Sequence, residues 1–586
     1  MLHLMRYVLT VAILPPLFLI PGWMWLRRAG LPPLLALYCG VLPMMLAGAA
    51  IAALGVALPW GQGATGTVGL VVILGSAVWS ALTAPRPLGP EPREFIGVLV
   101  WVALFIAVAS FTAVPSRGAF DGQSYNVPPE RVETPRLPGA PSDSYLPYRT
   151  GQLAIHKIGG EQLTGEYHPG WWISDRTPLN GLVFAFTASA LHVPVASNDL
   201  LTLPASEDRM TTFDPFGYWA YQLTSMLLGT AAILAVFLFA ITWKGGRVAT
   251  VAALLFALMP GVFIYAIYPR PALSLAYLAL VALVLVLHRR YWLAGAALGA
   301  CYLTHPSGGV WIFPAIALVL LGTTSVSLAG RVSADPQVGA RQKGVALAEL
   351  GGAAAALALP WLLFTSRVVH ASSRMLAWPL GGKLVDPTRP GESMRIAWDA
   401  FVQRGVAVNL WTRLVALGQS IFPVTSLVPV ATGAEVESAW LRAHGLAAWG
   451  LIGVVLFPIV IVAVAHCSSS DRRLLLWLVG LPVAANLVTE GFPESFAYQS
   501  LFPALGILAV VTAAWMVTWR RRSQVIVGTL IIIELATVVW GGGMFKPFNL
   551  DIVPLVLCIS VTTLALGAIA VGFMTQLGRG GSRLWS

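Results

Sequence analysis

Charge is what this sequence has least of. Only 10% of its 586 residues are Asp, Glu, Lys or Arg, where a soluble chain carries about a quarter. A water-soluble fold of this length is excluded. Cysteine is also sparse. Cys39, Cys301, Cys467 and Cys558 lie in or beside apolar runs and none falls in the two long polar segments, which argues against a disulfide framework or a cysteine metal site. There is no GxxxxGK[ST] loop, so cytoplasmic nucleotide hydrolysis is disfavoured. HExxH, zinc-ligand spacing and a serine nucleophile elbow are missing too. Acids inside the apolar runs reduce to Glu349 and Glu534, fewer than a proton- or ion-coupled carrier usually needs. The net charge of +11 does not imply nucleic acid, because excess Lys and Arg in a membrane chain mark cytoplasmic loops.

What is there is hydrocarbon: 57% of residues are hydrophobic, in runs long enough to span a bilayer. Fifteen spans are expected, near residues 6–26, 31–58, 67–84, 94–114, 219–242, 248–268, 271–288, 291–304, 308–323, 345–365, 444–466, 473–489, 497–518, 524–541 and 551–574. The first run, Tyr7 to Leu26, is too long for a signal-peptide core and is followed by Arg27-Arg28 rather than a cleavage site, so it is expected to stay as a helix. The fold class is therefore an all-α polytopic membrane protein.

Basic residues set the orientation. With the N-terminus outside, one set of loops holds Arg27, Arg28, Arg86, Arg93, Lys244, Arg247, Arg289, Arg290, Arg331, Arg341, Lys343, Arg472, Arg473, Arg520, Arg521, Arg522, Arg579 and Arg583. The short segments opposite hold only Arg6, Arg270 and Lys546. Eighteen against three puts the C-terminus in the cytoplasm and residues 115–218 and 366–443 on the outer face. This parity treats Leu179 to Val193, and likewise 407–431, as helices that lie at the interface or re-enter the membrane rather than cross it. A bacterial inner membrane is the expected location. The chain divides into leading helices (1–93), a core (94–366) with the first outer loop (115–218), a second outer loop (367–443) and C-terminal helices (444–586).

The chemistry-bearing residues concentrate in the first outer loop. Asp121, in Phe-Asp-Gly-Gln-Ser-Tyr125, follows the fourth span by about seven residues, at the bilayer surface. It has the character of a general base for an acceptor hydroxyl, and equally of a loop acid capping a short helix. Tyr167, His168, Trp171, Trp172, Asp175, Arg176, Thr177 and Pro178 form a second cluster. The Arg176 fork suits a phosphate at headgroup depth, while the tryptophans also read as an interfacial belt. Lys157, Arg270, His305 and Tyr498 lie on the same expected side. Each alone reads as a solvated or snorkelling side chain. Together they suit an anionic, lipid-linked substrate.

These motifs, in this order, resemble the GT-C superfamily of membrane glycosyltransferases, in the branch of protein O-mannosyltransferases and lipid A aminoarabinose transferases. Phe120-Asp121 resembles that family's acid after a helix, and Arg176-Thr177-Pro178-Leu179 its basic-Pro-Pro-Leu stretch. Leu303-Thr304-His305-Pro306 and Ala497-Tyr498-Gln499-Ser500-Leu501-Phe502-Pro503 resemble two later turns, with His305 and Ala497 replacing basic residues. The resemblance covers roughly 94 to 520 and leaves three extra leading spans. It implies a GT-C-like bundle using a polyprenyl-phosphate sugar donor and an inverting displacement. Asp121 would be the base, with Asp175 beside it as a catalytic residue that orients Arg176 or contacts the acceptor. Arg176, Arg270 and His305 would meet the donor phosphate, and Tyr125, Lys157, Tyr167, His168 and Tyr498 the substrate. The acceptor would be a glycan, lipid or protein. Where the family carries an acid pair the chain has Asp121-Gly122, so no cofactor is implied firmly and a divalent metal stays open. The alternatives are a transporter or flippase of lipid-linked saccharides and a membrane scaffold.

Overall fold

The structure, a computed structural model, describes residues 2–84, 95–110, 119–120, 123–124, 146–157, 166–168, 171–173, 177–195, 215–267, 271–321, 340–369, 395–396, 398–399, 401–403, 405–421, 450–484, 501–541 and 552–578. Helix dominates because an apolar run in hydrocarbon must satisfy its own backbone groups. Each of the fifteen expected runs carries helix.

Four leading helices come first: α1 (Leu2–Arg28), α2 (Pro33–Cys39), α3 (Val41–Ala57) and α4 (Gln62–Thr83). α2 and α3 form one run bent by 43°. Pro43 cannot donate to the carbonyl four residues back. One bond earlier, the Tyr277 hydroxyl inserts into the ladder: it accepts from the Leu42 N–H at 3.1 Å and donates to the Tyr38 carbonyl at 3.3 Å.

The central bundle follows α5 (Ile96–Ala109), the short strands β1 (Ala119–Phe120) and β2 (Gln123–Ser124), α6 (Leu146–Ile155), β3 (Glu166–His168), β4 (Trp171–Trp172) and α7 (Leu179–Ala190). α8 (Pro215–Thr230) and α9 (Ala232–Lys244) make one long span, Gly217–Trp243, almost wholly enclosed by other helices. α10 (Gly246–Ala257) and α11 (Pro260–Ile267) are bent by 62° ahead of Pro260. α12 (Ala272–Leu287), α13 (Tyr291–Thr304), α14 (Pro306–Leu320) and α15 (Ala340–Phe364) alternate in direction. α16 (Val406–Ile421), α17 (Leu456–Ala465), α18 (Ser469–Leu475), α19 (Leu501–Met516), α20 (Arg521–Ala536) and α21 (Ile552–Gly578) complete the chain.

Among the described residues, five helices are long and apolar enough to cross a membrane, or seven if each bent pair is one span. Loops expected on one side do meet. The Lys244 ammonium at the end of α9 pairs with Asp471 in α18 at 2.9 Å, and Arg290 donates to the Gly30 carbonyl at 3.3 Å. α16 turns Val406, Val408, Trp411 and Leu414 outward, and folds Asn409 and Arg413 inward onto Phe401. Apolar outside and polar inside is the pattern of a helix facing lipid.

Candidate active site

The site is built by the half-helices α6 and α7. α7 packs against α3, α4, α6 and α8. Glycines on α3 and α4 let it come close: a Cβ on Gly48 would press on the Phe186 ring, one on Gly66 would fall on the Ser189 backbone, and Gly69 lies within contact of Phe186. At the far end of α7, Thr67 and His192 share a hydrogen bond of 3.1 Å. Following α4 from Gly66 to Gly69 thus means following α7 backwards from Ser189 to Phe186, so the two helices run antiparallel. α7 therefore runs outward along α4, its N-terminus enclosed and His192 beyond its C-terminal end exposed. For Leu179 to Val193, expected to lie at the interface or re-enter the membrane, the structure gives a 12-residue helix packed against α3, α4, α6 and α8.

α6 runs parallel to α7. Gly181 lies against Pro147, Thr150 and Gly151, and Gly151 against Phe184. Tyr148, Phe184, Tyr218 and Tyr221 close an aromatic cluster behind this crossing, with ring centroids 5.3 to 5.8 Å apart. Polar groups are enclosed with them. Arg149 is 7% exposed, and its Nη1 donates to Gln152 Oε1 at 3.2 Å while Gln152 Nε2 donates to the Tyr148 hydroxyl at 3.1 Å. Thr177 and Asn180 are 4% and 3% exposed, and neither the Thr177 hydroxyl nor either atom of the Asn180 carboxamide has a hydrogen-bond partner.

Of the residues singled out in the sequence, Asp121, Tyr125, Asp175, Arg176, Arg270 and Tyr498 lie outside the described residues. β1 and β2 pair antiparallel, Ala119 with Ser124 and Phe120 with Gln123. Tyr167 and His168 belong to β3, where His168 is opposite Trp171 in β4. Lys157 lies in the turn after α6 at φ 56°, and its ammonium donates to the Leu58 carbonyl, tying this turn to the one between α3 and α4. His305 is buried between α13 and α14, where its N–H donates to the Cys301 carbonyl at 3.0 Å. Among the described residues no three His, Cys, Asp or Glu side chains stand together as metal ligands. Sequence reasoning missed Tyr148, Arg149, Gln152 and Asn180. For Tyr148, Arg149 and Gln152 the available signal was their one-turn spacing within an otherwise unremarked stretch of the loop.

No family model and no curated protein sequence matches the chain. Among solved structures it is similar to the archaeal oligosaccharyltransferase AglB from Archaeoglobus fulgidus, in complex with an inhibitory peptide and a dolichol-phosphate. Identity is 15% and the TM-score 0.42, over 83% of this chain and 56% of that one. It is also similar to ArnT from Cupriavidus metallidurans bound to undecaprenyl phosphate, at 13% identity and a TM-score of 0.42, over 83% of this chain and 76% of that one. Both neighbours are GT-C proteins. The chain spans little more than half the length of the oligosaccharyltransferase. At these scores the likeness says nothing of activity.

Proposed function

We propose that the chain transfers a sugar from a polyprenyl-phosphate donor to an acceptor hydroxyl at the end of the bundle that carries the first loop. The acceptor oxygen attacks the anomeric carbon with inversion, its proton passing to the Asp121 carboxylate. The bond from that carbon to the phosphate oxygen breaks, and the electron pair leaves with the polyprenyl phosphate, whose charge Arg176 offsets. Asp175 orients Arg176. The observation that supports this reading is the packing of α6 and α7 into the bundle. A polar loop that merely covered the bundle would not seal Arg149, Thr177 and Asn180 inside it.

Lipid mass spectrometry of cells carrying wild type or Asp121→Asn tests the assignment. The variant should insert and fold, lose about 10²- to 10⁴-fold in transfer rate, and accumulate a prenyl-monophosphate sugar. Transfer at the wild-type rate would remove Asp121 from its role.

One observation favours a second reading, carriage of the intact lipid-linked saccharide. The break between α10 and α11 meets a second irregular stretch, 450–455, where the Gly261 N–H donates to the Leu451 carbonyl at 3.0 Å. Paired interruptions at membrane depth are a feature of carriers. Donor that crosses a liposome membrane uncleaved would support carriage; donor consumed with release of polyprenyl phosphate supports transfer.

A further inference from the structure

The N-terminus of α7 is a buried helix end whose own cap residue cannot cap it. Pro178 holds the cap position and offers no side-chain acceptor, and the first intrahelical bond is Leu182 N–H to the Pro178 carbonyl at 2.8 Å. The amide N–H groups of Leu179, Asn180 and Gly181 therefore have no acceptor within the helix. A helix end enclosed this way is costly unless something accepts from it, and its dipole favours a negative charge. Two further groups sit in the same turn, each more than nine-tenths buried and without a partner: the Thr177 hydroxyl and the Asn180 carboxamide. Arg149, in the turn of α6 that crosses Gly181, brings a positive charge.

We propose that this buried N-terminus of α7, with Thr177, Asn180 and Arg149, is the receptor for the phosphate group of the lipid-linked donor. The chemistry is almost wholly that of donors: backbone N–H, hydroxyl, amide NH₂ and guanidinium. A tetrahedral oxyanion accepts from several such groups at once, and helix N-termini bind phosphate for this reason. Enclosure selects the source. α7 has 12 residues and is about 18 Å long. Its N-terminus is the enclosed end, where an anion carried on an apolar tail arrives more readily than a hydrated free phosphate. Half-helices that point their N-termini at an anionic group in mid-membrane follow the same logic.

The proposal rests on the reading above only for the identity of the donor, not for Asp121 as base. Purified protein in lipid nanodiscs is titrated with a short-chain prenyl monophosphate, the prenyl alcohol of the same length, and inorganic phosphate. Wild type should bind the monophosphate at least tenfold more tightly than the alcohol, and inorganic phosphate more weakly than the monophosphate. Thr177→Val and Asn180→Leu should each bring the monophosphate down to the alcohol's affinity. Their ligand-free melting temperatures should equal or exceed wild type, since each replaces an orphaned polar group with an apolar one.

A monophosphate preference that survives both substitutions overturns the proposal. So does a fall in ligand-free melting temperature in both variants, which would mean that these side chains hold the fold. Inorganic phosphate binding as tightly as the prenyl monophosphate overturns the lipid assignment. Full transfer by Asp121→Asn beside an intact monophosphate preference would refute the base and leave the receptor standing.

Discussion

Glu534 is buried in α20, and its carboxylate accepts the N–H groups of Val454 and Val455, the latter at 3.2 Å. Those amides open α17, so an acid 80 positions along the chain caps a helix whose preceding residues do not supply a cap. Gly453 makes room at φ 99°, where a Cβ would meet the carboxylate. Glu534→Ala should cost about 1–2 kcal/mol by loss of the cap, read as a lower unfolding midpoint, while Glu534→Gln, which still accepts, should lose less. A midpoint unchanged in the alanine variant would mean that the cap contributes nothing. The sequence showed Glu534 as a rare acid in an apolar run but gave no sign of its partner. Cys467 makes a second residue-scale case. Burial, and then the charge of Asp471, push its thiol upward. Its thiolate should form only above the usual value of about 8.5, so maleimide labelling at pH 8 should lag behind that of a free thiol. Raising the pH further should speed it, because only the thiolate attacks.

At the scale of elements, the seam between α7 and α4 depends on the absence of side chains. Gly66→Leu should drive α7 off α4, costing about 1–3 kcal/mol as an overpacked contact. Transfer should fall with it, since α7 carries Thr177 and Asn180 with it. Unfolding midpoints and initial rates measured on the same preparation check this, and wild-type rates would show that the seat of α7 does not matter. Elements of this kind were unevenly legible. The long runs declared themselves by hydropathy, and Leu179 to Val193 was recognisable as too short to cross. The two small strand pairs and α6 were not legible, because two or three residues of pairing, and a helix of mixed polarity, take their stability from what they pack against. The bend between α2 and α3 had Pro43 as its signal, but Tyr277, which holds it, lies more than 230 residues away.

Taken whole, the expected loop sets divide into one rich in arginine and one that includes the segment carrying α6 and α7. With the basic set in the cytoplasm, alkaline phosphatase fused after Lys157 should be active and the same enzyme fused after Arg522 inactive. The reverse pattern would invert the molecule and move the candidate site to the cytoplasm. Charge sorted the loops into two expected sets, and Lys244 with Asp471 and Arg290 with Gly30 bring members of one set together. The candidate site was legible only as a region, since a sequence shows that residues 146–155 and 177–180 are polar in part and not that they cross one another. The role of the leading helices was not legible at all. They form the wall on which α6 and α7 are seated, through Gly48, Gly66, Gly69, Thr67 and the Leu58 carbonyl.

That wall is also synthesised first. A chain leaves the ribosome from its N-terminus, and its parts fold as they appear. α4 ends at Thr83, so α3 and α4 are complete 63 residues before α6 begins at Leu146 and 96 before α7 begins at Leu179. When the loop is made, the mould for its half-helices is already standing in the membrane. A half-helix with a polar tip is a poor candidate for insertion by itself, and here it never has to insert alone. A chain permuted so that residues 1–93 are made last should yield the same helices with the loop unseated, which makes the order of manufacture part of how the site is formed.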